Sequence, residues 1–343
     1  MPESKYSIGG IKNGISILFF YLMEDFMLNT ELPIDLEQQV SLMKRYVSFR
    51  QKKRFRDFLT YTGYFRASRY GKFLLTKVET LGFKADSKLF FSTYDFDVQL
   101  RQLLFKYCTK AEIFFKSNVS NALSLKTGDA AFYLDKQYYT PSKGERFKVT
   151  REKNTRFFGK KFYPSLRDKE EQLRKDVVKH PELKEYRKGG SRHKNLLPVW
   201  AAFTYFEMGT ITMMYSYLRG DLRKAVLDYA YPGRNYKKEV TKQIDTWLDA
   251  IRNLRNYCAH HSMVIGMTSS VVIPDKRDPQ DVLPTDTDLY SRIYALKKLL
   301  PQKEADALGD ELSKLINKSK IDVYKIGILP DNWKEMYDRI NYL

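Results

Sequence analysis

Apolar residues along this chain recur at threes and fours, the spacing of one helix face, and no stretch alternates convincingly with the period of two expected of a half-buried strand. Residues 33–50 open with Pro-x-Asp and continue at helical spacing. Asp35 is placed to cap this helix, and Val40, Leu42, Met43 and Val47 form its apolar side. Residues 58–75 carry Gly63 and Gly71 among aromatics and predict two short helices around a turn. Residues 93–125 predict one long helix, with Phe96, Leu100, Leu104, Ala111, Phe115, Val119 and Leu123 on its apolar side. Residues 196–218 predict the most apolar helix, charged only at Glu207. Another helix resumes from about Val240, and a last pair is expected at 289–300 and 303–316. The pattern predicts an all-α fold.

Two stretches depart from it. Residues 126–195 are polar and broken by Gly128, Pro141, Gly144, Gly159, Pro164 and Gly189-Gly190, as in an insertion or flexible module. Residues 271–288 turn acidic and loop-like, with Asp275, Asp278, Asp281, Asp286 and Asp288. The chain thus divides into an extension at 1–30, a basic helical segment at 31–90, a helical core at 91–270 holding the insertion, and an acidic loop with helices at 271–343. Within the extension, the apolar run Ile15–Met23 has nine residues, short of the roughly 20 that a membrane span needs. It also lacks a basic flank beyond Lys5 and Lys12, and the small-residue cleavage site of a leader. A cytoplasmic protein without a membrane anchor is expected.

Charge narrows the partner. Sixty Lys and Arg face 41 Asp and Glu among 343 residues, a formal charge of +19, and aromatics reach 15%. Such a surface suits a polyanion, because cations displace counterions and rings stack on bases. The densest run places seven cations between Lys44 and Arg56, with Phe49 and Phe55 interleaved. A second run, Lys143 to Lys161, has eight cations and two acids. Lys52, Lys53, Arg54 and Arg56 of the first run, Arg66 shortly after it, and Arg146, Lys148 and Arg151 of the second are the candidate phosphate contacts. Only Cys108 and Cys258 are present, with four histidines, so neither a disulfide framework nor a metal site is expected, and no cofactor.

Candidate chemistry concentrates in residues 244–263, IDTWLDAIRNLRNYCAHHSM. With Trp247 at zero and 100° per residue, Ile251, Leu254 and Cys258 fall within about 40° of it, a narrow apolar stripe. Asn256 and His260 fall at about 180° and 220°, on the opposite face, and Arg252 near them at about 140°. Arg255 flanks the stripe at about 80°, and His261 falls beside the core at about −40°, where a structural role is expected. Histidine titrates near neutrality and can move a proton, while arginine offers a cationic fork to phosphate. Together they suit phosphodiester cleavage with the 2′-OH of RNA as internal nucleophile. One histidine cannot easily serve both ends of the displacement, so two copies of this helix would be needed. The residues alone also allow a structural ion pair at Arg255 and a helix-end histidine.

Further motifs bear on the choice: DLEQQVSLMK at 35–44, LTYTGYFRASRY at 59–70, FSTYDFDVQLRQLL at 91–104, and AEIFFKSNVSNAL at 111–123 with Glu112 and Lys116 four apart. LPVWAAFTYFEMGTITMMYSYL at 197–218, LRNYCAHHS at 254–262 and GILPDNW at 327–333 follow. In this order they resemble the Abi family of bacterial abortive-infection proteins (AbiD- and AbiF-like), within the HEPN superfamily. The resemblance implies a HEPN-like helical bundle with terminal helical extensions, and homodimerisation across the R-N-x-x-x-H helix. It implies RNA as ligand or substrate, in some relatives a small structured RNA, and an anti-phage toxin acting as a metal-independent endoribonuclease. Arg255 and His260 would be the catalytic pair with Asn256 orienting, and Lys116 would join the RNA contacts; Arg252, near Asn256 and His260 in the projection, is a further candidate contact. The alternative is a protein that holds a structured RNA or tRNA without cutting it. The sequence departs from the family after Ala259-His260-His261, where Ser262-Met263-Val264-Ile265-Gly266 replaces a basic continuation, and at Lys116, where arginine is common.

Overall fold

The computed structural model describes residues 33–141, 151–176, 178–187, 196–233, 236 and 238–343. The extension expected at 1–30 lies outside them. Among the described residues there are fourteen α-helices and no strand, only two isolated bridges. The chain divides into two compact units at Asp95/Phe96.

In the first unit, α1 (Leu36–Met43) starts where the sequence predicts. The Asp35 carboxylate accepts the Gln38 N–H at 2.8 Å, and the Gln38 side chain accepts the Asp35 N–H at 2.8 Å. This reciprocal cap satisfies two backbone donors that a helix start leaves open. The helix stops at Met43 instead of reaching residue 50, because the Ser48 backbone bonds Ala85 and Ser87 instead. Helices α2 (Lys52–Thr62) and α3 (Tyr64–Leu75) meet at Gly63, whose φ of 78° and ψ of 146° suit only glycine. A Cβ on Gly71 would lie 2.7 Å from the Tyr46 Cβ, so α3 needs glycine there to pack closely. A short α4 (Val78–Leu81) follows. Phe55 centres this core, stacked on Phe49 at 3.9 Å and against Phe90 and Phe91. Of the rings interleaved in the basic run, Phe55 is therefore a core residue and Phe49 is half-buried against it.

Helix α5 (Ser87–Thr127) is the predicted long helix, extended at both ends. In the second unit it is followed by α6 (Arg151–Phe157), a π-helical turn at Phe158–Phe162, and α7 (Tyr163–Lys175). The expected loose insertion is thus partly helical. Its apolar residues are few but anchored, with Phe158 and Phe162 lying 5.1 and 5.4 Å from the Tyr217 ring. The single helix expected at 196–218 is two, α8 (Val199–Tyr205) and α9 (Met208–Tyr217). The break leaves the Phe206 carbonyl outside the helical ladder, and Lys116 donates to it at 2.6 Å. Then come α10 (Gly220–Ala230) and α11 (Lys238–Ala259), which packs against α9, α10 and α12 (Leu289–Leu299). Helices α13 (Gln302–Asn317) and α14 (Trp333–Asp338) close the chain. No helix among the described residues is long and apolar enough to cross a membrane.

The acidic loop has a use that composition does not reveal. Lys298 on α12 is fully buried and reaches Asp275 at 3.0 Å, Asp278 at 2.9 Å and the Asn341 carbonyl at 2.7 Å. Burial pushes its ammonium below the usual lysine range, and both carboxylates oppose that. For Asp275 burial acts upward, but the Arg277 hydrogen bond and the Lys298 charge outweigh it and hold the carboxyl at about 2. A carboxyl whose folded value is depressed stabilises the fold above its unfolded value near 3.8, and that contribution is lost as pH falls toward 2. Urea midpoints should therefore drop between about pH 4 and pH 2, and less steeply in Asp275→Asn. Parallel curves for the two proteins would contradict this.

Candidate active site

Helix α11 carries the candidate chemistry, and its buried face is the predicted stripe. Trp247, Ile251 and Leu254 are fully buried and Cys258 nearly so. The Trp247 indole donates to the Ile273 carbonyl at 2.8 Å, which fixes the rotation of the helix. Burial pushes the Cys258 thiol up to about 12 and the Cys108 thiol well above its usual value. Both cysteines are free and buried, so they act as small apolar groups.

The helix ends at Ala259, earlier than the angular projection assumes. His260 still donates its N–H to the Asn256 carbonyl at 2.9 Å. His261 then turns left-handed, at φ 55°, the one non-glycine with positive φ among the described residues. Its N–H goes to the Cys258 carbonyl at 3.2 Å, and the Ser262 N–H to the Tyr257 carbonyl at 2.8 Å. This pair of bonds closes a Schellman motif, which usually places glycine where His261 stands. His261 is consequently exposed and not packed beside the core. A left-handed non-glycine costs about 1 kcal/mol. Asn256 and His260 are also exposed, one turn apart.

Arg255 is set from the neighbouring helix. Glu112 on α5 lies 3.5 Å from its Nε, and the Arg255 guanidinium is centred 5.9 Å from the Phe105 ring. The same carboxylate holds Lys116 at 2.7 Å. Glu112 thus bridges two cations, and the Arg255 side chain stays 38% exposed. The Lys116 side chain is only 16% exposed and its ammonium is divided between Glu112 and Phe206. That geometry orients Glu112 and does not reach outward for a phosphate. Arg252 pairs with Asp249 on its own helix. On an ideal helix Arg255 and His260 project about 140° apart, on different sides of α11.

Sequence reasoning passed over the residue that holds the end of this site. Asp97 on α5 is fully buried. Its Oδ1 accepts the N–H groups of Val264 and Ile265 at 2.9 and 3.0 Å, and its Oδ2 accepts from Arg101 at 2.8 Å. Asp97 therefore pins to α5 the segment that departs from the family. The legible signal was an Asp and Arg four apart within the apolar face of a helix, where a lone charge would be costly.

The remaining candidates are dispersed. Lys52, Lys53, Arg54 and Arg66 are exposed on α2 and α3 of the first unit. Arg54 lies 3.9 Å from the Phe91 ring, and Arg56 pairs with Glu37 at 2.5 Å. Arg151 opens α6, and past it Arg156 and Lys160 line a shallow hollow with Glu152, Thr155 and Gly159. Arg146 and Lys148 lie outside the described residues.

No curated protein and no solved structure matches the chain. The sequence model of one family, described as Abi-like protein, matches residues 57–266. That span covers more than half of the chain and includes Asp97, Glu112, Arg255 and His260. The chain belongs to the Abi-like protein family.

Proposed function

We propose that this chain is an abortive-infection protein that binds RNA and cuts it as a homodimer, without a metal ion. Family membership supports the defence role. The observation that carries the chemistry is the end of α11. An exposed histidine stands there, and on another side of the same helix end is an arginine whose guanidinium is already oriented by Glu112. In this reading one His260 takes the proton of a 2′-OH. The 2′-oxygen bonds to phosphorus while Arg255 stabilises the added negative charge. The bond from phosphorus to the 5′-oxygen then breaks, and His260 of a second copy protonates that oxygen. The products are a 2′,3′-cyclic phosphate and a 5′-hydroxyl. The divergence of Arg255 and His260 on one helix is the reason for the second copy.

The same divergence supports a second reading, in which a single chain holds structured RNA without cutting it. Incubating the purified protein with RNA in EDTA separates the two. Cleavage requires 2′,3′-cyclic phosphate ends. Intact RNA of discrete length on the purified protein, with no cleavage, would favour holding over cutting. Cleavage leaving 5′-phosphate ends would reject the proposed chemistry.

A further inference from the structure

The corner between α2 and α3 exposes two aromatic rings that no part of the α11 site uses. Tyr61 is 91% exposed and Phe65 81% exposed. They stand either side of Gly63, four residues apart, so their backbones lie within about 14 Å of each other. Single exposed rings are ordinary, but two at one turn, both bare, form an apolar feature that the fold does not use. The buried face of α2 runs through Phe55 and Leu59, and that of α3 through Ala67, Tyr70, Gly71 and Leu74, so both rings lie off the packed faces.

The charge around them is one-sided. Between Gln51 and Lys77 there are eight cations and one acid, Asp57. Helix α3 has Arg66, Arg69 and Lys72 and no acid at all. Phe65, Arg69 and Lys72 follow at helical spacing, within about 40° of one face. Lys52, Lys53, Arg66 and Arg69 are exposed and make no ion pair among the described residues. Bare rings next to unpaired cations match a ligand that offers flat apolar faces and a string of negative charge. Unpaired nucleotides do so. A duplex does not, because its bases are already stacked on each other.

We infer that the α2–Gly63–α3 corner is a binding platform for single-stranded RNA, with Tyr61 and Phe65 stacking on unpaired bases and Arg66 and Arg69 contacting the intervening phosphates. The inference rests on RNA being the ligand, but it is independent of cleavage. It would present unpaired RNA to the protein whether or not α11 cuts.

The test uses the full chain carrying His260→Ala, so that bound RNA is not consumed. The probes are a labelled 15-nucleotide unstructured RNA and a duplex of the same length, titrated at several salt concentrations. Adding Tyr61→Ala and Phe65→Ala should weaken single-strand binding at least about tenfold. Duplex binding, the salt slope and the melting temperature should not change, since the rings carry neither charge nor packing. Adding Arg66→Gln and Arg69→Gln should instead flatten the salt dependence, by about 0.7 in slope per lost phosphate contact. Unchanged single-strand affinity in the ring variant would overturn the inference, as would an equal loss on duplex or a lowered melting temperature. Dissociation of a dimer with RNA affinity intact would assign the rings to contact between copies and overturn it too. If the parent chain binds neither probe, RNA itself is the wrong ligand and the proposed function falls with it.

Discussion

Asp97→Ala should cost about 3–5 kcal/mol of unfolding free energy, the range for breaking a buried ion pair from one side. The carboxylate is fully buried and accepts from two consecutive backbone N–H groups and from the Arg101 guanidinium. Removing it leaves Arg101 as a buried charge without its counter-ion, and two buried amides without an acceptor. Asp97→Asn keeps one acceptor oxygen for the amides but turns a donor or a weaker dipole toward Arg101, so it should fall between the two. Urea unfolding of the three proteins measures this. A loss below about 1 kcal/mol in the alanine variant would mean that the segment after His261 is held by something else.

His260→Ala should slow RNA cleavage by about 10²–10⁴-fold, the usual contribution of a positioned proton-transfer group. Its melting temperature should stay at the wild-type value, because His260 is exposed and its bond to Asn256 uses only backbone. Arg255→Ala should slow cleavage by about 10²–10³-fold, as loss of charge stabilisation in the transition state does. Glu112 keeps its 2.7 Å bond to Lys116 in that variant, so the fold should not suffer. Arg255→Lys should not restore the rate, since an ammonium lacks the fork that grips two oxygens. Single-turnover rates with matched melting curves check all three. Slow cleavage accompanied by a large fall in melting temperature would instead assign these residues to structure.

Much of the frame was legible because local rules decided it. The Asp35 cap, the long apolar period of α5 and the Trp247–Cys258 stripe each involve residues a few positions apart. The misreadings share a different cause, a partner distant in sequence. Nothing between 196 and 218 announces the break at Phe206, where Lys116, ninety positions earlier, takes the freed carbonyl. His261 leaves the core because the chain must turn back toward Asp97, 164 positions before it. The aspartates of 275–288 read as a solvated acidic loop until Lys298 is found buried against two of them. The basic run shows the same limit for function. Of its interleaved rings, Phe55 is buried and Phe49 stacks on it half-buried, while the bare rings, Tyr61 and Phe65, come after the run. Which side of α2 faces the core decides that, and the charge pattern does not carry it.

The proposed reaction makes its sharpest claim about the nucleophile. A single-turnover assay in EDTA, using an RNA and its fully 2′-O-methylated counterpart with the wild type and with His260→Ala, tests it most directly. The account predicts cleavage of the unmodified RNA by the wild type, none of the methylated strand, and a loss of at least about 100-fold in the variant. Cleavage of the methylated strand, or an undiminished rate in His260→Ala, would contradict it.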